Sequence, residues 1–79
     1  WQACWLIDQG EDYTIASAMA KYSASQIAQE VTLKASDILA SRAYERGTFI
    51  EQLSRDARVL STIEGTNNIQ KNIIASLLL

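Results

Sequence analysis

Histidine and proline are both absent from the 79 residues, and cysteine occurs once, at Cys4. A single thiol excludes an internal disulfide, and with no histidine beside it a zinc site built from Cys/His clusters is excluded within this chain. A lone free thiol points to a reducing, intracellular setting. Charge of neither sign accumulates: 7 basic and 9 acidic residues give a net charge of -2, scattered along the chain. No basic patch with interleaved aromatics is present, which argues against nucleic-acid binding. Long apolar runs are lacking too. The longest, Ile73-Ile74-Ala75 and Leu77-Leu78-Leu79, is interrupted by Ser76, well short of the roughly 20 residues of a membrane span. The start, Trp1-Gln2-Ala3-Cys4-Trp5, has no charged n-region of a signal peptide and no initiator Met. It begins inside an apolar pattern, as expected of a fragment of a longer polypeptide.

What is present is helical spacing. Glycine occurs only at positions 10, 47 and 65, and these act as punctuation. Residues 1–9 read as a helix end with Trp1, Cys4, Trp5 and Ile7 on one apolar face, Cys4 a small core residue, and Gly10 at the C-cap. Asp12 or Thr14 caps a second helix over about 14–40. Its packing face is read from Ala16, Ala20, Ala24 and Ala28, continued by Val31, Ala35 and Ile38. Small residues there let helices approach closely. Residues 41–48 break the pattern. Thr48-Phe49-Ile50-Glu51 has the capping-box form and opens a third helix, with Ile50, Leu53, Ala57, Leu60 and Ile63 on one face. Gly65 interrupts, and Thr66 caps a last helix bearing Ile69, Ile73 and Leu77. The expected fold is all-α, an antiparallel helical bundle of a helix end plus three helices. Such faces, and aromatics such as Tyr22 and Phe49, are on periodicity alone ordinary packing.

Three stretches carry more than periodicity. Ala3-Cys4-Trp5-Leu6-Ile7-Asp8-Gln9-Gly10 is followed by Ala18-Met19-Ala20-Lys21; Arg55-Asp56-Ala57-Arg58 comes later; Ile63-Glu64-Gly65-Thr66-Asn67-Asn68-Ile69-Gln70 comes last. In order and at this spacing they resemble the acyl-CoA dehydrogenase family: its acidic-x-Gly turn before Met-Ala-Lys, its Arg-Asp-Ala-basic segment and its Glu-Gly-Thr-x-x-Ile-Gln signature. The resemblance covers essentially all 79 residues, read as a partial C-terminal helical domain. The family's usual chain also has an N-terminal helical domain and a middle β-domain.

The resemblance implies an FAD-dependent enzyme that oxidises an acyl thioester to the α,β-enoyl thioester. A carboxylate removes the α-proton while the β-hydride passes to the flavin. In many members that carboxylate is the Glu of Glu-Gly-Thr, here Glu64; others carry it on a helix outside this segment. Gly65 is implied to lie against the acyl group, and Thr66 and Asn68 to touch FAD. The chemistry suits the residue types. A free Glu titrates at about 4.3, and burial against apolar groups raises it toward a useful base. Ile63, Val59 and Leu60 are the apolar neighbours expected to desolvate Glu64. Gly65 allows close approach of a substrate, and Thr66 opens a helix whose free amides favour negative charge. A plainer reading stands beside this one. Ser61-Thr62-Ile63-Glu64 also has the capping-box form, which would make Glu64 a cap and Gly65 a helix breaker. Arg55 and Asp56, adjacent and so on different sides of a helix, fit a solvated surface or a contact to a neighbouring subunit.

One segment departs from the family. Its Gln-x-x-Gly-Gly-x-Gly stretch, implied to line the cofactor's diphosphate, reads Asp37-Ile38-Leu39-Ala40-Ser41-Arg42-Ala43 here. Gly47 and Phe49 also replace an acidic residue and a proline common in the family. Either Arg42 or Arg46 supplies the phosphate charge, or FAD is held weakly or differently. The alternatives to an acyl-CoA dehydrogenase are thus a divergent relative acting on carrier-protein-bound acyl groups, and a non-catalytic helical assembly module. The resemblance further implies a homo-oligomer, dimer or tetramer, an electron-transfer acceptor, and a cytoplasmic or, in a eukaryote, mitochondrial-matrix location.

Overall fold

Gly10, at φ +70, ends the first helix, α1 (Gln2–Asp8). Its amide donates to the Ile7 carbonyl (3.0 Å) and that of Glu11 to the Leu6 carbonyl (2.9 Å). This paired closure needs a left-handed residue where the glycine stands. Asp12 then organises the start of α2 (Thr14–Leu39). Its Oδ1 accepts from the Thr14 amide (3.0 Å) and the Thr14 hydroxyl (2.7 Å). Those bonds, the backbone one first, hold the Asp12 carboxyl below its ordinary value of 3.8. Of the two expected caps, Asp12 therefore does the work and Thr14 is the first helical residue.

The structure, a computed structural model, describes residues 1–79 and is all-α. After α2 comes a 3-10 turn, Ala40–Tyr44, then α3 (Phe49–Val59) and α4 (Asn67–Leu78). Helix α2 is the spine: α1, the 3-10 turn, α3 and α4 all pack on it, and α3 and α4 do not touch each other. Ser36 meets Ser54 and Gln29 meets Arg58, so α3 runs antiparallel to α2 along its C-terminal half. Ser25 meets Asn67, and Tyr22 lies under Lys71 with the ammonium 5.1 Å from the ring centroid, so α4 runs antiparallel along the N-terminal half. Lengths agree with this tandem arrangement. At about 1.5 Å per residue the 26-residue α2 spans about 39 Å, while the 11 and 12 residues of α3 and α4 together reach about 35 Å. The turn carrying Glu64 is the junction between the two helices laid in file.

Several local expectations are corrected. The expected row is only in part the inner face of α2. Ala18 and Ser25 are buried there, with Tyr22, Thr32 and Ser36 half-buried; of the row itself Ala16, Ala28 and Ala35 are half-buried, whereas Ala20, Ala24, Val31 and Ile38 are exposed. Small and hydroxylated residues fill the seam because its hydroxyls bond within α2 or across to α3 and α4. On α1, Ala3 and Leu6 turn inward, while Trp1, Cys4, Trp5 and Ile7 are exposed. Thr48 precedes α3 without a capping box: its hydroxyl donates to the Glu45 carbonyl, and Glu51 is held by Arg55 instead. Helix α3 stops at Val59, so Leu60 and Ile63 lie in the following turn rather than on its face. Thr66 does cap α4, accepting from the Ile69 amide (3.2 Å).

Candidate functional site

Between α3 and α4 the chain turns back on itself over residues 60–66. The Thr62 and Ile63 amides both donate to the Val59 carbonyl (2.9 and 3.2 Å), and the Asn67 amide reaches the Ser61 carbonyl (2.9 Å). Closing so tight a loop forces two successive left-handed residues, Glu64 at φ +54 and Gly65 at φ +82. Glycine accepts this at no steric cost, whereas a glutamate there carries strain on the order of 1 kcal/mol or more. Glu64 is therefore no helix cap, and the Ser61–Glu64 capping box does not form; the Ser61 hydroxyl donates to the Arg58 carbonyl. Strain of this kind persists where the surroundings over-determine it, and it concentrates at functional sites.

The surroundings are polar and buried. Gln70, at the end of the first turn of α4, is buried and its Nε2 donates to the Glu64 carbonyl (3.1 Å) and, more weakly, to that of Gly65 (3.5 Å). Asn67 is also buried. Its Oδ1 accepts from Lys21 Nζ (2.8 Å), and its side chain is joined to the Ser25 hydroxyl (2.9–3.1 Å). No buried side-chain polar atom is left without a partner. A Cβ added at Gly65 would lie 2.8 Å from Gln70 Nε2, so the glycine also makes room for that amide. The sequence reading assigned no role to Lys21, Ser25, Asn67 or Gln70. The available signal was the pair Asn67 and Gln70, three residues apart and so on one face of the first turn of α4.

Glu64 borders a recess of about 210 Å³ whose other walls are Lys21, Ala24, Ser25, Leu60 and Ile63. Its walls are chiefly apolar, as an acyl chain requires. The expected desolvation of Glu64 is not met within this chain. Glu64 is exposed, and Val59, Leu60 and Ile63 are 48, 37 and 45% exposed, because Val59 ends α3 and Leu60 and Ile63 follow in the turn rather than folding over the carboxylate. Thr66 and Asn68 line a different, polar cleft, together with Arg58 and Lys71. Thr66 Oγ1 accepts from Ile69, which leaves its hydroxyl proton free to donate. In the same turn the Asn67, Ile69 and Gln70 amides are all bonded, and that of Asn68 is not. These groups suit the polar edge of a flavin. Gly65 lines neither space.

The departing segment 37–43 fits a diphosphate less well. Asp37, Ala40 and Ala43 line a cleft between α2 and α3 with Glu51, Arg55 and Arg58. Two carboxylates share it, and Arg55 is already paired with Glu51, whose hydrogen bond raises the guanidinium's pKa. Arg42 is exposed and is not among the residues lining that cleft, and Arg46 borders another recess with Gly47, Glu51 and Arg55. Asp56 is exposed, so the Arg55–Asp56 pair reads as surface in this chain. No helix is long and apolar enough to cross a membrane, and no cluster of metal-ligating side chains occurs.

The family described as acyl-CoA dehydrogenase, C-terminal domain, matches residues 1–79. The mitochondrial short-chain specific acyl-CoA dehydrogenase of Bos taurus is 38% identical over 79 residues, covering 100% of this chain and 19% of its own length. The short-chain specific acyl-CoA dehydrogenase of Clostridium acetobutylicum is 33% identical over 75 residues, 95% of this chain and 20% of its own. A caffeyl-CoA reductase-Etf complex subunit of Acetobacterium woodii is 34% identical, covering 100% of this chain and 21% of its own. The chain thus spans about a fifth of the length of these relatives. With a match that runs from the first residue to the last, the chain belongs to the acyl-CoA dehydrogenase family, in the region of its C-terminal domain.

Proposed function

We propose that these residues are the C-terminal part of a flavin-dependent acyl-CoA dehydrogenase, with Glu64 as the base that takes the α-proton of an acyl thioester. The observation that carries the reading is the strained Glu64, held by the buried Gln70 amide at the rim of an apolar recess. FAD, when bound, supplies the hydride acceptor. The recess beside Ala24, Leu60 and Ile63 takes apolar substrate. Glu64 removes the α-proton as the β-hydride leaves, and the electron pair of the α C–H bond becomes the new double bond. Thr66 and Asn68 offer donors to the flavin's polar edge, and Gly65 keeps the approach to the turn free of a side chain. General-base catalysis of this kind contributes about 10²–10⁴-fold.

Glu64→Gln in the full-length, flavin-loaded protein tests this. Dehydrogenation falls by about 10²–10⁴-fold with flavin content unchanged; full activity would place the base elsewhere. A second reading rests on the departing segment, where Asp37, Ala40, Ser41 and Ala43 stand for the family's Gln and glycines: a relative acting on carrier-protein-bound acyl groups, or an assembly module without chemistry. A yellow protein whose flavin bleaches with an acyl-CoA supports the enzyme, bleaching only with acyl carrier protein supports the divergent relative, and a colourless one supports the module. One relative is named for a complex with Etf, which fits an electron-transfer acceptor for this protein as well. The exposed apolar surface fits a homo-oligomer, dimer or tetramer, acting in the cytoplasm or mitochondrial matrix.

A further inference from the structure

We propose that Gln70, backed by the Ser25–Asn67–Lys21 cluster, is the positioning device that sets the direction of the Glu64 carboxylate. The inference rests on the reading of Glu64 as base and adds what holds it. A glutamate at positive φ relaxes toward the ordinary right-handed or extended regions unless its peptide groups are restrained. Here the restraint is specific. The carbonyl that follows the Glu64 Cα accepts from Gln70 Nε2 at 3.1 Å, and the next carbonyl from the same nitrogen at 3.5 Å. One buried amide thus fixes both peptide planes that flank Gly65, the residue with the greatest freedom in the turn.

Gln70 can do this only if α4 itself is fixed against α2. Asn67 provides that anchor at the first residue of α4, joined to the Ser25 hydroxyl at 2.9–3.1 Å and to Lys21 Nζ at 2.8 Å. Lys21 and Ser25 also line the recess that Glu64 borders. The same α2 residues therefore bound the substrate space and anchor the turn that brings the base to it. A shift of about 1 Å in a reacting group is enough to cost on the order of 10²-fold in rate, so the device acts on the chemical step more than on binding.

The test uses the full-length, flavin-loaded protein and the single-turnover bleaching of flavin by an acyl thioester. Gln70→Met keeps the side chain's length and apolar stem but removes the donor. Expected are unchanged flavin content, bleaching slowed by about 10–100-fold, and an apparent thioester Kd within about threefold. In the Glu64→Gln background, the same substitution has no further effect, since a device that acts through Glu64 is not additive with its loss. Slowing of equal size in both backgrounds, or wild-type bleaching by Gln70→Met, overturns the proposal. If Glu64→Gln itself bleaches at the wild-type rate, it is the base assignment that fails, and the proposal fails with it. Should Gln70→Met lose its flavin, Ser25→Ala removes a single anchoring hydroxyl: slower bleaching at an unchanged melting temperature supports the device, and an unchanged rate overturns it.

Discussion

Ala40 shares the distinction of Glu64: these are the two non-glycine residues with positive φ. At φ 53 and ψ -125, Ala40 holds a backbone region that suits glycine, at a position where the resemblance implies one. Holding an L-residue there costs about 1–3 kcal/mol, and glycine's extra unfolded-state entropy costs about 0.5–1 kcal/mol. Ala40 is exposed, so its methyl group contributes little packing. Relief of strain therefore wins, and Ala40→Gly raises stability by about 1 kcal/mol, read in the full-length protein as a higher urea midpoint with unchanged slope. A lowered midpoint would mean the strain is absent. At this scale the sequence was legible where one residue type answers one need. Gly10, Thr66 and the interruption at Gly65 follow from capping and φ requirements. Left-handed Glu64 did not, because no local rule puts a glutamate there; the hydrogen bonds that hold it come from Gln70, and Gln70 is held only once α4 has docked.

At the scale of the elements, helix limits were readable and helix faces were not. The span of α2, expected over about 14–40, is Thr14–Leu39, since the Asp12 cap and the break after Leu39 are local events. The choice of inner face is not local. An alanine row and a hydroxyl row both run along α2, and the tandem of α3 and α4 selects the second because Ser54 and Asn67 present partners for it. The end of α3 was missed for a related reason: Leu60 and Ile63 continue the apolar period but are taken by the turn. The Asp12 cap gives this scale its prediction. Its carboxyl is held below the ordinary value by the Thr14 amide and hydroxyl, so the folded state favours the ionised form. That contribution is fully present above 3.8, the ordinary value, and is lost as pH falls through the lowered folded-state value. Asp12→Asn keeps a capping oxygen without the charge. Its stability deficit relative to the parent is largest near neutral pH and closes in that acid window, measured as paired urea midpoints of the full-length protein from pH 7 down to pH 2. A constant deficit across the range would assign the cap's effect to something other than its charge.

For the whole molecule the decisive quantity is how little is enclosed. Seven of 79 residues are buried, three of them polar, and no side chain is fully buried. Meanwhile Ile27, Val31 and Ile38 along α2 are 56, 58 and 83% exposed, and Trp1, Trp5, Tyr44 and Phe49 are exposed as well. Exposed apolar surface of this extent is what an interface presents rather than a solvent-facing wall. Conformational entropy costs about 1–2 kcal/mol per ordered residue, which a spine with two helices in file and almost no interior does not offset. The 79-residue chain in isolation is therefore expected to gain helix content with concentration, since association is what buries the α2 face. Circular dichroism and sedimentation across about a hundredfold range of concentration read this directly. Placing a charge in the middle of the face, Val31→Lys, moves the helical transition to higher concentration by about tenfold, corresponding to about 1.4 kcal/mol of lost association. A cooperatively folded monomer at every concentration, unmoved by Val31→Lys, would show that the spine and its tandem helices suffice alone, and the outward face of α2 would then need another explanation.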